Sequence, residues 1–152
     1  MILIIVFCFL GGCDDGHPSP TVLSSTKALR QYLDRGGDPN GITKQDWYKG
    51  KRTLLHRAAI YSDEEIVKML LAAGANPNAR DSTSGWTPLM IAFTTREEDS
   101  SKAGVIACLL KVSDLTIKDR WGGTAYDCAK KYGSASEVEL IEEALKQHGQ
   151  KP

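Results

Sequence analysis

The stretch from Thr53 to Asp81, TLLHRAAIYSDEEIVKMLLAAGANPNARD, restricts the fold more than any other part of the chain. Leu54, Leu55, Ala58 and Ala59 recur at i, i+3, i+4 spacing, the stripe of a short amphipathic helix. Ser62 and Glu65 make an S-x-x-E pattern, which predicts that a second helix starts there. Ile66, Val67, Leu70 and Leu71 supply its apolar face. Gly74 occupies the place of a C-terminal cap glycine, and Pro77 follows. Isolated helices shorter than about 12–15 residues are marginal in water, so a pair this small requires neighbours built like itself.

Such neighbours are present. Leu29 to Asn40, LRQYLDRGGDPN, matches KMLLAAGANPN, placing Gly36, Asp38, Pro39 and Asn40 over Gly74, Asn76, Pro77 and Asn78. Downstream, GWTPLMIAF and GGTAYDCAKKYG repeat the helix start, with Thr87 and Thr124 at the place of Thr53. A period of about 33 residues with two helices per unit and a T-P-L-H-x-A start is the ankyrin pattern, and the chain resembles the ankyrin-repeat family over roughly Val22 to Gly149. The copies keep different parts of the motif: Thr53 to Ala58 retains the histidine, Thr87 to Ala92 retains the proline, and Thr124 to Ala129 retains neither. The resemblance implies an all-α solenoid of stacked helix pairs, about three full repeats behind an N-terminal half-repeat cap.

Residues between the repeats depart from the pattern. Gly41 to Arg52 is long enough for an extended finger loop. TTREEDSSKAG, from Thr94 to Gly104, reads as an insert between the helices of the third unit. After Val112 the glycine turn is lost, VSDLTIKD replacing AAGANPNARD. Ser134 and Glu137 form another capping box, with Val138, Ile141 and Leu145 as the stripe of the last helix and its glutamates suited to an outer face.

The N-terminus is of a different kind. Ile2 to Leu10 is unbroken and apolar, much shorter than the ~20 residues of a membrane span and suited to a signal-peptide core. Leu10-Gly11-Gly12-Cys13 resembles the lipobox of bacterial lipoproteins, which implies cleavage before Cys13 and acylation of that cysteine. The expected organisation is a signal peptide over 1–12, a lipidated polar tether over 13–21 and the repeat domain over 22–149. The expected location is the periplasmic side of the bacterial envelope, with inner and outer membrane both open.

Lys plus Arg total 19 and Asp plus Glu total 19. This balance gives no basic surplus for nucleic acid. Cys108 and Cys128 remain beyond the N-terminal segment; in an oxidising compartment a disulfide between them is allowed, and buried free thiols are the alternative. No metal-ligand spacing, nucleophile elbow, phosphate loop or dinucleotide fingerprint occurs, so no catalytic set, metal or cofactor is expected. His56 sits at the family's T-P-L-H histidine, a position that braces neighbouring turns. Asp127 is a lone carboxylate on a repeat helix.

In ankyrin-like proteins the partner surface comprises the finger loops and the exposed ends of the first helices. Those positions carry Trp47, Tyr48, Arg52, Trp86, Arg120 and Trp121 in the loops, and Tyr61, Lys131 and Tyr132 at the helix ends. Trp, Tyr and Arg dominate binding hot spots. Trp86 has two roles open to it, partner contact and packing on the neighbouring loop. The expected function is non-enzymatic: a tethered, monomeric protein-binding module, as an immunity protein against a secreted toxin or a scaffold for an envelope enzyme. A thiol-based redox or stress role and an effector delivered into host cells are the competing classes.

Overall fold

The structure is a computed structural model that describes residues 17–43, 46, 50–61, 63–95 and 100–149. The lipobox and Cys13, together with Trp47, Tyr48 and Ser62, lie outside the described residues. A 3-10 turn, Pro20–Leu23, precedes seven helices among the described residues: α1 (Thr26–Asp34), α2 (Leu54–Ile60), α3 (Glu64–Ala72), α4 (Pro88–Thr94), α5 (Ser100–Leu110), α6 (Ala125–Tyr132) and α7 (Ala135–Gln147). The fold is all-α, with a single Ile42–Thr53 bridge as the β-type pairing among the described residues.

The helices form two layers. In the inner layer α2 packs on α4 and α4 on α6. In the outer layer α1 packs on α3, α3 on α5 and α5 on α7. Each pair is also closed on itself, α2 with α3, α4 with α5 and α6 with α7. The turn at Pro20–Leu23 packs on α1 and stands where the first half-repeat lacks its inner helix. Packing reaches upstream of Val22: His17 Nδ1 lies 2.9 Å from the Ile42 carbonyl, and Pro18 is buried.

Sequence explains each inner helix start. Thr53, Thr87 and Thr124 are the N-caps, in extended conformation. The third helical residue then decides how completely the cap closes. His56 and Asp127 accept from the backbone N–H of Thr53 (3.1 Å) and Thr124 (2.7 Å), completing reciprocal boxes. Met90 has no such acceptor; there Thr87 receives the Met90 N–H at 3.4 Å, and Pro88 at the helix start supplies the right φ. Asp127 is thereby a capping residue, and the Thr124 backbone N–H, then its hydroxyl, hold its carboxyl below the usual range.

The second helix of the central pair begins one residue later than the S-x-x-E pattern implies. Asp63 is the N-cap, its carboxylate accepting the Ile66 N–H at 3.0 Å. Asp is as good an N-cap as Ser and places its negative charge at the positive helix end. Gly74 ends this helix as expected, with φ +90°, the Gly74 N–H on the Leu71 carbonyl and the Ala75 N–H on the Leu70 carbonyl. Gly36, at φ +82°, repeats that closure after α1.

After α5 the turn survives without glycine. The segment is one residue shorter, so the Ser113 N–H reaches the Leu109 carbonyl at 2.9 Å directly, and no left-handed residue is needed. The turns then join in a ladder: Asn40 accepts from the Asn76 N–H at 2.7 Å, and Asn78 accepts from the Asp114 N–H at 2.8 Å.

Two expectations about the C-terminal half need correction. The insert does not lie wholly between the helices, because α4 runs to Thr94 and α5 begins at Ser100; residues 96–99 lie outside the described residues. Among the glutamates of α7, Glu137 is buried rather than outward, and its carboxylate lies 3.0 Å from the Lys102 ammonium. Lys102 also donates to the Thr95 carbonyl at 2.7 Å, which satisfies a charge otherwise costly to bury.

Leu54, Leu55, Ile66, Leu70, Phe93, Ile106, Leu109 and Ile141 are fully enclosed in one continuous core. Leu70→Ala removes a side chain with no solvent exposure, and chemical denaturation is expected to register a loss of about 2–5 kcal/mol. A loss under about 0.5 kcal/mol would contradict its place in the core.

Candidate partner-binding surface

The finger loops are organised by two aspartates that the sequence reading passed over. Asp81 Oδ1 accepts the N–H groups of Ser84 (2.7 Å), Gly85 (2.9 Å) and Trp86 (3.3 Å), folding its own loop tip. Asp119 Oδ1 does the same for Trp121 and Gly123, both at 2.8 Å. The second oxygen of each reaches back to the preceding unit: Asp81 Oδ2 takes Arg52 Nε at 3.3 Å, and Asp119 Oδ2 takes the Trp86 indole N–H at 3.1 Å. Backbone bonds tie the same loops, Ser82 N–H to the Gly50 carbonyl at 2.7 Å and Arg120 N–H to the Ser84 carbonyl at 2.9 Å. The signal was present in the sequence as an aspartate a few residues before each Gly-Trp-Thr or Gly-Gly-Thr.

His56 supplies the link beneath. Its Nδ1 accepts from the Thr53 N–H and lies 2.8 Å from the Thr53 hydroxyl. That leaves the proton on Nε2, which donates to the Trp86 carbonyl at 3.0 Å. The ring is fully buried, and desolvation lowers its pKa from the ordinary 6.5 despite the opposing Trp86 carbonyl and the nearby Asp81 charge. The bracing role expected from the motif is what the geometry provides.

The predicted site residues divide into two groups. Trp86 and Arg52 are half-buried braces; Trp86 packs on the core, bonds Asp119 and meets the Tyr132 ring edge-on at 6.3 Å between centroids. Trp86 is therefore not among the exposed residues, and of its two roles packing is the one the contacts display. Trp121, Tyr61 and Tyr132 are exposed, by 74%, 60% and 46%. Each tyrosine carries a cation from its own helix: the Arg57 guanidinium lies 5.4 Å from the Tyr61 ring centre, and the Lys131 ammonium 4.9 Å from that of Tyr132. Arg57 also pairs with the buried Asp46 at 2.9 Å. Arg120 is exposed, and its guanidinium donates to the Ser82 carbonyl.

Cys108 and Cys128 are free thiols, the first half-buried and the second buried. Burial, then the nearby Asp119 and Asp127 charges, push the Cys128 thiol up to about 11, far from a reactive thiolate at neutral pH. Among the described residues no group of three or more His, Cys, Asp or Glu is placed to hold a metal ion, and no helix is long and apolar enough to cross a membrane.

A family model described as ankyrin repeats, in three copies, matches residues 22–103, more than half of the chain. The chain belongs to the ankyrin-repeat family. Its repeats make it a protein–protein interaction module. Among curated relatives, human cyclin-dependent kinase 4 inhibitor B is 26% identical over 127 residues, covering 81% of this chain and 82% of that protein. Protein PhlB of Serratia liquefaciens is 31% identical over 104 residues, 68% of this chain and 42% of its own length. Glycerophosphocholine phosphodiesterase gde1 of Schizosaccharomyces pombe is 58% identical over 67 residues, 44% of this chain. The chain spans only 6% of gde1 and less than half of PhlB.

The lowered His56 pKa has a pH consequence. The unfolded chain binds the imidazole proton more readily than the folded one, so this contribution to stability is complete above about pH 6.5 and declines as pH falls below it, by at most ~1.4 kcal/mol per pH unit. His56→Gln keeps the acceptor and donor of a capping box without the titration. Urea unfolding at pH 7.5 and 5.5 is expected to give a larger decrease in the wild type than in His56→Gln; equal decreases would place the proton elsewhere.

Proposed function

We propose that this ankyrin-repeat chain is a membrane-tethered, non-enzymatic binding protein of the bacterial envelope that docks a protein partner on Trp121, Tyr132 and Tyr61. Neutralising a secreted toxin, as an immunity protein, is the role that best fits so small a binder. The observation that carries the docking surface is the exposure of Trp121, whose backbone N–H is fixed by the Asp119 turn while its indole is 74% open to solvent. A large preorganised aromatic with no packing role of its own is the kind of group that partners cover. Arg52 and Trp86 support the surface from behind by fixing the loops. The envelope location rests on Leu10-Gly11-Gly12-Cys13, and PhlB supplies a bacterial relative. The thiol-based alternative gains little support from a buried Cys128 whose ionisation is displaced upward.

Two measurements test the reading. A clickable fatty acid fed to cells is expected to label the wild type and not Cys13→Ser; equal labelling removes the tether. Immobilised wild-type protein is expected to capture from envelope extracts a protein that Trp121→Ala, folded by circular dichroism, binds at least ~30-fold more weakly, corresponding to the ~2 kcal/mol of a hot spot. Undiminished capture by that variant removes the docking surface.

A further inference from the structure

The chain has formal net charge zero, but the charge is sorted between the two layers. Lys51, Arg52, Arg57, Arg120, Lys130 and Lys131 lie in the finger loops and inner helices. The acidic groups there are Asp46, Asp81, Asp119 and Asp127, and each carboxylate is engaged: Asp46 by Arg57, Asp81 and Asp119 by loop N–H groups, Asp127 by Thr124. The outer helices lean the other way, mainly through α7, where Glu137, Glu139, Glu142 and Glu143 outnumber one lysine, Lys146; Glu64 and Glu65 on α3 are paired with Lys68.

The exposed aromatics stand on the positive side. Tyr61 and Tyr132 end α2 and α6, and Thr94 and Thr95 hold the matching place on α4 between them. Both threonine hydroxyls bond back to their own helix, at the Ile91 and Ala92 carbonyls, so two small residues stand where the flanking helices end in tyrosine. Helices packed 8–10 Å apart put the two tyrosines roughly 20 Å apart, the span of about six extended residues.

We propose that this face, as the docking surface named above, takes an acidic protein segment in extended form, its apolar side chains against Tyr61, Tyr132 and Trp121 and its carboxylates against Arg120 and Lys131. Resting on the docking reading, the inference adds the chemistry of the partner. A carboxylate satisfies lysine and arginine one at a time, and side chains between carboxylates fill the notch at Thr94 and Thr95. A nucleic acid would require a larger basic surplus than a neutral chain with an acidic outer layer provides.

The test uses a fluorescein-labelled dodecapeptide rich in glutamate and leucine, with a lysine-and-leucine counterpart, a single-stranded oligonucleotide and phosphatidylglycerol vesicles as the other arms. The acidic peptide is expected to bind, and the lysine peptide not. Lys131→Glu and Arg120→Glu are each expected to weaken binding at least about tenfold, and raising salt to weaken it further. Lys146→Glu, the same charge change on the outer layer, is expected to alter it less than about twofold. Should Arg120→Glu loosen its loop, Lys131→Glu, on an exposed residue, carries the test alone.

Absence of acidic-peptide binding, equal weakening by Lys146→Glu, or tighter binding of the oligonucleotide or the vesicles overturns the proposal. A protein captured from extracts that depends on Trp121 but ignores both Lys131→Glu and salt also overturns it, while leaving the docking surface in place. Capture that ignores Trp121 removes the docking surface itself.

Discussion

Helices of seven to nine residues do not persist in water by themselves, and α1 to α4 and α6 are all of that length. Their stability comes from lateral burial. Each inner helix is covered by the next inner helix and by its own outer partner, so the apolar surface of one unit is completed only by its neighbours. The remaining features of the molecule serve that stacking. The Asn40–Asn76 and Asn78–Asp114 bonds hold the turns of successive outer helices at a fixed spacing. The Asp81 and Asp119 carboxylates do the same for the finger loops on the other side.

The binding surface follows from this division of labour. A finger loop whose tip is closed by an aspartate and whose base is tied to the preceding loop has little freedom left. Side chains pointing out of it stand on a backbone whose ordering entropy is already spent in folding. Trp86 and Trp121 illustrate the two outcomes. They stand at neighbouring loops, but Trp86 finds an acceptor in Asp119 and a ring in Tyr132, whereas Trp121, within the Asp119 turn, stays open.

Repeat number, helix pairing and the capping residues were readable in the sequence, because they rest on local spacing: the threonines at 53, 87 and 124, and the glycines at 36 and 74. His56 was readable through the T-P-L-H position, although its second bond reaches the Trp86 carbonyl in the next unit. Other properties that depend on a partner in another unit were not. Nothing in EVELIEEAL distinguishes Glu137 from the glutamates after it; only the Lys102 ammonium arriving from α5 makes it the buried one. Likewise, Trp86 could not be separated from Trp121 without knowing where the Asp119 carboxylate points. The start of α3 at Asp63 is a different case, since Ser and Asp are near-equal caps and adjacent residues compete for one position.

The Lys102–Glu137 pair ties the last outer helix to the one before it. Both side chains are almost closed to solvent, 6% and 9% exposed, so a substitution that removes one partner leaves the other charge buried, at a cost of about 3–5 kcal/mol. The opposite end carries no such penalty: Pro20–Leu23 and α1 contribute Val22 and Leu29 to the core and little else that is fully enclosed. The last repeat is thus held by a buried ion pair as well as by apolar packing.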